Sequence, residues 1–528
     1  HLSGVGILCG RSEGSLTDIT VQTGKKNQKT VEVLLGDRNE SSEAVHDGDE
    51  KIADSKRKAC GIGGIVGVLA KKEADGSWSA LTGSGTGDSI PQISGLEMNG
   101  SVTGRLPKPE AVNDGTNVED EAKLYFYGIG GIFGYGHLRG GVKAEACENH
   151  ADIKGNLFTG GIGGHLDGSY QPSDSSGSAE LKDSSSDGLV LCSSTTNQPQ
   201  EMEGRYFGGI LGYGNNCRID TSYSASGRLA SERYDISKRD EMLLGKYVGG
   251  IIGYGNSSQI VGCSTKKGGY ILGSDFVGGI AGGFSNDLRY AIKGNESITM
   301  TTNASYIIGN NYVGGIVGKN EGEQDASSTM QNCVNQGVAA GYGRYIGGIV
   351  GYNGQYGVLE DCASYLSDYD QSVYRMVTKT WEANTGDCVG GMAGYNDGKI
   401  YFSDSGSVTV KSVASLVVGR HFVGGMIGFN DIHGNVGEDL SENYTLIGGR
   451  IHGFGNAVGG CIGLNASAGL LKNELEVKPT SVTGTYYVGG CIGANVVDMI
   501  DHTTEYIQPE SDIQMDGFRT DNRLGSIT

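Results

Sequence analysis

The sequence predicts an all-β protein: a parallel β-helix (β-solenoid) of about a dozen glycine-rich coils. Three observations carry that expectation. A short glycine word recurs through most of the chain, strand-sized apolar blocks fill the gaps between its copies, and the chain is too long for one compact core. It has 528 residues, whereas single hydrophobic cores stop growing near roughly 250–300 residues. Growth in one dimension, coil upon coil, removes that limit. Glycine accounts for 93 residues and proline for only 7. Collagen is excluded, because it needs glycine at every third position and abundant proline. A disordered linker is excluded, because Val, Ile, Tyr and Leu keep returning in short blocks.

The word reads YVGGIVGKN at Tyr312–Asn320, YIGGIVGYN at Tyr345–Asn353 and FVGGMIGFN at Phe422–Asn430. Twelve copies share it, with glycine pairs beginning at Gly63, Gly130, Gly160, Gly208, Gly249, Gly278, Gly314, Gly347, Gly390, Gly424, Gly459 and Gly489. From Gly249 onward the steps are 29, 36, 33, 43, 34, 35 and 30 residues by subtraction, a period that suits one coil each. GVGILCG, at Gly4–Gly10, reads as a worn thirteenth copy. The first two gaps and LFTGGIGGH (Leu157–His165) depart from the pattern, so regular coils are expected mainly from Gly208 onward.

Each column of the word has a physical reading. A β-branched residue precedes the pair in every copy except that of Phe207, and such residues favour an extended backbone. An aromatic is common one position earlier, as at Tyr247, Phe276, Tyr312, Tyr345 and Phe422. A core residue follows the pair: Ile316 and Ile349 in two copies, and Met392, Met426, Cys461 or Cys491 in others. The last six copies close on Asn320, Asn353, Asn396, Asn430, Asn465 and Asn495, and three earlier ones on Gly136, Gly214 and Gly255. Gly and Asn best tolerate a left-handed backbone, so each word is expected to end at a corner there. In a stack with a spacing of about 4.8 Å, the asparagines can form an amide ladder and the tyrosines an aromatic row. Gly315, Gly348 and Gly425 are then expected to provide backbone room between coils.

Between words the chain offers further strands, as in MQNCVNQGVAAG (Met330–Gly341) and GSVTVKSVASLVVG (Gly406–Gly419). No segment keeps a helical period over three turns. A right-handed wind is expected from the preference of parallel crossovers. The predicted organisation is a degenerate N-terminal coil or cap over 1–59, the solenoid over 60–495 and a C-terminal extension or cap over 496–528. The chain opens at His1 without a methionine and is read as a fragment or processed form of a longer protein.

The pattern [YF]-[VI]-G-G-[IM]-[VIA]-G-[YF]-N resembles the GLUG motif of bacterial surface proteins, and the resemblance spans Cys60 to Asn495. That family includes large adhesins and the N-terminal regions of secreted immunoglobulin A1 peptidases. The resemblance implies a non-catalytic extracellular solenoid, secreted or on the cell surface, that acts as an adhesin shaft or ligand-presenting scaffold. The alternatives are an accessory region of a large secreted peptidase acting on host immunoglobulin or glycoprotein, and a polysaccharide-active β-helix enzyme. A host glycan, mucin or glycoprotein, immunoglobulin included, is the implied partner.

The formal charge of −20 argues against nucleic acid and anionic membranes as partners. No run approaches the roughly 18 apolar residues of a membrane helix, so the chain is not expected to be membrane-inserted. Eleven cysteines include no C-x-x-C pair, which leaves them as small buried side chains rather than zinc ligands. No two of the nine histidines have metallopeptidase spacing. No cofactor is expected. Calcium finds no ligand spacing in Asp183–Gly188 or Glu43–Glu50, which read as solvated acidic loops. DIHGN (Asp431–Asn435) and RIHGFGN (Arg450–Asn456) lie one coil apart and could bring His433 near His452, the one catalytic arrangement the pattern suggests. Two unrelated loop histidines are the plainer reading.

The 43-residue step after Gly347 carries a surplus around YLSDYDQSVYRMVTKTW, Tyr365–Trp381. Its aromatics alternate with carboxylates and amides, which supplies apolar area and hydrogen bonds together. Tyr365, Tyr369, Tyr374, Arg375 and Trp381 are the candidate ligand contacts, against the alternative that the tyrosines pack this loop onto the shaft.

Overall fold

One coil, residues 311–343, shows how the word folds. Asn311–Gly314 is a first strand and Val317–Glu321 a second, and Ser328–Gln331, Val334–Asn335 and Val338–Gly341 complete the circuit. Corresponding strands of successive coils pair parallel and in register. Gly314, for example, faces Gly278 of the coil before and Gly347 of the coil after. The computed structural model describes residues 4–22, 31–34, 60–72, 74, 78–82, 90–106, 127–168, 179–193, 204–224, 244–285, 297–299, 301–364, 386–402, 412–437, 444–467, 475–477, 479–496 and 519–520. Among these it is a parallel β-helix without helices.

The strands stack into sheets that run the length of the solenoid. Sheet 1 has thirteen strands, from Gly4–Gly6 to Tyr486–Gly489, in chain order. Sheet 2 runs beside it from Cys9–Ser12 to Ile492–Asn495. Sheet 3 carries two parallel tracks per coil, as in Ser328–Gln331 and Val334–Asn335. Shorter stacks, such as Tyr270–Leu272 with Tyr306–Gly309 and Val338–Gly341, close the circuit.

GVGILCG folds as a coil, with Gly4, Val5 and Gly6 opposite Gly61, Ile62 and Gly63. The coils before Gly208 hold register as strictly as later ones, contrary to the irregular spacing. Ile129 faces both Ile62 and Thr159, and Gly160 faces Gly208. Extra residues are absorbed between strands, as in the antiparallel hairpin of Lys71–Lys72 with Trp78–Ser79. Near the C-terminus, Arg519–Thr520 adds a strand beside Glu476–Val477.

Two apolar cores run along the axis. The larger lies inside sheets 1 to 3 and holds Ile316, Val317 and Met330 stacked on Ile349, Val350 and Leu359. The second holds the β-branched column, Val277, Val313 and Ile346, against Ile271 and Ile307. Cys461 takes the column of Met426, buried in the larger core, as a small apolar side chain.

The left-handed backbone is not where the pattern suggests. None of the six closing asparagines adopts it. It falls on the aromatic column instead, at Tyr247, Phe276, Tyr312, Tyr345 and Phe422, with φ of 54°, 57°, 55°, 64° and 56°. One left-handed residue inside a strand breaks the two-residue alternation of side chains. The ladder skips it: Asn311 faces Asp275 and Val313 faces Val277, with Tyr312 and Phe276 left out. The valine then enters the second core, and the ring is free to stack on its neighbours. The conformation costs about 1–2 kcal/mol per residue, and stacking offsets part of it. Ring centroids lie 4.4 Å apart for Tyr247–Phe276 and 4.6 Å for Phe276–Tyr312.

The closing asparagines form an amide ladder, buried from Asn320 to Asn465 and exposed at its end, Asn495. Each donates Nδ2–H to the Oδ1 of the next, at 3.0 Å from Asn320 to Asn353, 2.9 Å to Asn396, 2.8 Å to Asn430, 3.1 Å to Asn465 and 2.8 Å to Asn495. A second ladder, in sheet 3, links Thr265 to Asn303 at 2.6 Å and Asn303 to Asn335 at 2.8 Å. A third links Asn256 to Asn215 at 2.9 Å and Asn215 to Asp167 at 3.1 Å. The second glycine of the word makes room for the sheet 3 ladder. A Cβ on Gly315 would strike the Asn335 amide and the carbonyl of Gly348, and one on Gly348 would strike Ser364 and the carbonyl of Gly391. A Cβ on Gly425 would strike the carbonyl of Gly460.

Candidate functional site

The left-handed column and the outward column of sheet 2 interlock. On sheet 2, Tyr352 and Tyr395 stack at 4.8 Å with 5° between planes, and Phe429 meets Tyr395 edge-on at 5.4 Å. Tyr345 sets its ring against both, 6.0 Å from Tyr352 and 5.2 Å from Tyr395. Rings of the N-terminal coils, such as Tyr206, Tyr213 and Tyr247, are fully buried. From Tyr312 to Phe429 the rings are half-buried, so this part of the row meets solvent. Their faces are largely taken up by one another, which leaves edges and hydroxyls to a ligand.

Carboxylates flank that row because of the word's closing corner. Asp397 and Asp431 follow the ladder residues Asn396 and Asn430, and their N–H groups donate to the carbonyls of Asn353 and Asn396 at 2.9 and 2.8 Å. They therefore sit one coil apart in equivalent positions. Asp431 accepts hydrogen bonds from the Tyr395 hydroxyl and, at 2.8 Å, from the N–H of Ile432. Asp397 accepts from the N–H of His433 at 3.1 Å and lies 3.0 Å from its Nδ1. Two coils before Asp397, Lys319 pairs with Glu321 at 2.9 Å and lies over the Phe276 ring.

The electrostatics keep the hydroxyls protonated. Burial, then the charges of Glu321 and Asp397, pushes Tyr352 up to about 12. Burial and the bond to Asp431 raise Tyr395 further. Burial also raises Asp397 above the usual aspartate value, against the opposing pull of His433. The rim thus offers phenolic hydroxyls, aspartate oxygens and the His433 ring. That set suits hydrogen bonding to a hydroxyl-rich ligand.

His433 and His452 have separate surroundings, which corrects the catalytic arrangement suggested by their spacing. His433 belongs to the corner after sheet 2 and reaches back to Asp397. His452 ends the long strand Tyr444–Gly453, 2.5 Å from the Thr483 hydroxyl of the next coil. His433 thus sits in a corner and His452 on a strand. Asp183–Gly188 is not a loop: Ser185–Ser186 is a strand of sheet 3, and Asp187 lies 2.7 Å from His150 of the neighbouring coil. Among the described residues no group of three or more His, Cys, Asp or Glu could hold a metal ion. Tyr365, Tyr369, Tyr374, Arg375 and Trp381 lie outside the described residues. The rim is legible only in part in the sequence. The [YF]-N ending marks Tyr352, Tyr395 and Phe429, but nothing in the word marks Asp397 or Asp431, whose partners come from other coils. Comparison of the chain with protein-family models, with curated proteins and with solved structures found no match.

Proposed function

We propose that the chain is a non-catalytic extracellular solenoid that presents a glycan-binding rim, free-standing or within a larger surface protein. The rim of Tyr345, Tyr352, Tyr395, Asp397, Asp431 and His433 carries this reading, because it joins protonated hydroxyls to carboxylates on a rigid stack. A hydroxyl-rich glycan, free or on a mucin or immunoglobulin, fits it through edge-on hydrogen bonds. The resemblance of the word to GLUG repeats supports an extracellular, cell-surface setting. The test is attachment of the purified chain to mucin and to a panel of glycans. Three folded variants are compared: Tyr352→Phe, Asp431→Asn and a deletion of Asp368–Lys379. The rim variants are expected to bind about tenfold more weakly, the equivalent of one hydrogen bond, and the deletion to bind as the parent does. Full attachment by both rim variants, with loss in the deletion, would move the site to the Tyr365–Trp381 insert.

A further inference from the structure

A small hydrogen-bonding residue recurs at one position of sheet 3 in six consecutive coils, Ser184, Ser222, Cys263, Thr301, Cys333 and Cys362, and it follows a left-handed residue at Asp183, Thr221, Gly262, Asn332 and Asp361. The three cysteines reach the carbonyl row of the coil before, whereas Ser184 and Ser222 donate to the Lys182 and Asp220 carbonyls of their own coil at 2.9 and 3.3 Å. Cys263 donates its S–H to the Ile219 carbonyl at 3.6 Å, Cys333 to Ile298 at 3.0 Å and Cys362 to Met330 at 3.4 Å. Serine and threonine fill the same slot, so the position demands a short donor rather than sulfur. Cysteine neighbours a hydroxyl at most steps of this run, as where the Thr301 hydroxyl donates to Cys333 at 3.4 Å. Only Cys333 and Cys362 place two thiols on neighbouring coils here.

Their backbones are locked level. Gln331 faces Glu360 and Val334 faces Ala363, and the N–H of Ala363 donates to the Cys333 carbonyl at 2.9 Å. Neighbouring strands stand about 4.8 Å apart, within the roughly 4.4–6.8 Å Cα separation of a disulfide. Both side chains are buried and point the same way, each to the equivalent carbonyl of its preceding coil. We propose that Cys333 and Cys362 are a modification site: on meeting a small disulfide oxidant they join into a disulfide that staples two coils. One thiolate attacks the oxidant, forming a mixed disulfide and releasing one thiol. The second thiolate attacks the protein sulfur of that mixed disulfide and releases the other. The net change is one protein disulfide formed, one oxidant disulfide reduced to two thiols. The staple secures the coil from which the 43-residue step departs, since that step's surplus begins just past Ser364.

The experiment uses the full chain with excess oxidised glutathione at pH 8, across urea concentrations below the unfolding transition so that buried strands open locally. Free thiols are then alkylated in denaturant and the chain is mapped by mass spectrometry without reduction. The expected product is a linked peptide pair carrying Cys333 and Cys362, two hydrogens lighter than the sum and lost on reduction, in more than half of the molecules. In Cys333→Ser, a substitution the column already contains at Ser184 and Ser222, the link is absent and Cys362 stays alkylatable. Cys333 and Cys362 both recovered as free thiols throughout the urea series, or recovered only as separate glutathione adducts, would overturn the proposal.

Discussion

At the scale of the residue, the glycines of the word answer to sterics and not to flexibility. The position of Gly315 is shut by backbone of the next coil and by the Asn335 amide, and that of Gly348 by the same elements one coil on. Gly315→Val and Gly348→Val are therefore expected to destabilise the fold by several kcal/mol, as in other overpacked cores. Thermal melting checks this, and a melting temperature equal to the parent's would mean that the column faces open space. His150 offers a second test. Burial pulls its pKa down, but the hydrogen bonds and charges of Asp187 and Glu148 outweigh burial and leave it raised. A raised histidine binds its proton more tightly in the folded state. Its contribution to stability is thus complete below the ordinary histidine value and fades as pH rises through the folded value. Titration by NMR should place the midpoint above 6.5, and Asp187→Asn should lower it. A midpoint unmoved by that substitution would remove Asp187 as the cause.

At the scale of the element, each strand gains from columns that no single coil completes. Asn396 accepts from Asn353 and donates to Asn430 and to the Gly398 carbonyl. Asn396→Leu strips both neighbours of a partner inside a buried corner, which costs about 1–3 kcal/mol per unsatisfied group. Hydrogen exchange should quicken in Val350–Asn353 and Ile427–Asn430, the strands on either side, and unchanged protection there would count against the ladder as a stabilising element. The aromatic column carries its own ranking. Tyr345 sits at φ 64°, which glycine adopts freely and a β-branched residue scarcely at all. Tyr345→Val is expected to melt below Tyr345→Gly, although valine buries more apolar surface. The reverse order would show that the strand straightens at no cost.

At the scale of the whole molecule, the described coils pair strand by strand with the coil before and the coil after, so stability is close to a sum of coil and interface contributions. The described coils bury apolar columns and amide ladders, and no group of three or more His, Cys, Asp or Glu among the described residues could hold a metal ion. Melting with and without a chelator should therefore coincide, and a large downward shift would reveal a structural metal. The architecture was legible in the sequence because a solenoid repeats one local solution. The glycine pair, the β-branched column, the core column and the closing asparagine each had a reading that required only a stack of coils. The sequence alone determined that the chain is a β-solenoid, where its coils lie and which asparagines share a ladder. Tertiary structure decided that the left-handed residue is the one before the β-branched residue, aromatic in most copies but Cys388 and Ala457 in two, and not the closing asparagine, since the bend lets the next side chain enter the second core. It also decided that Asp431 serves Tyr395, that His433 serves Asp397, and that Cys333 lies level with Cys362. Each of these depends on which residue of one coil stands over which residue of the next. That register is set by the stack as a whole and cannot be read from the unequal lengths of chain between copies of the word.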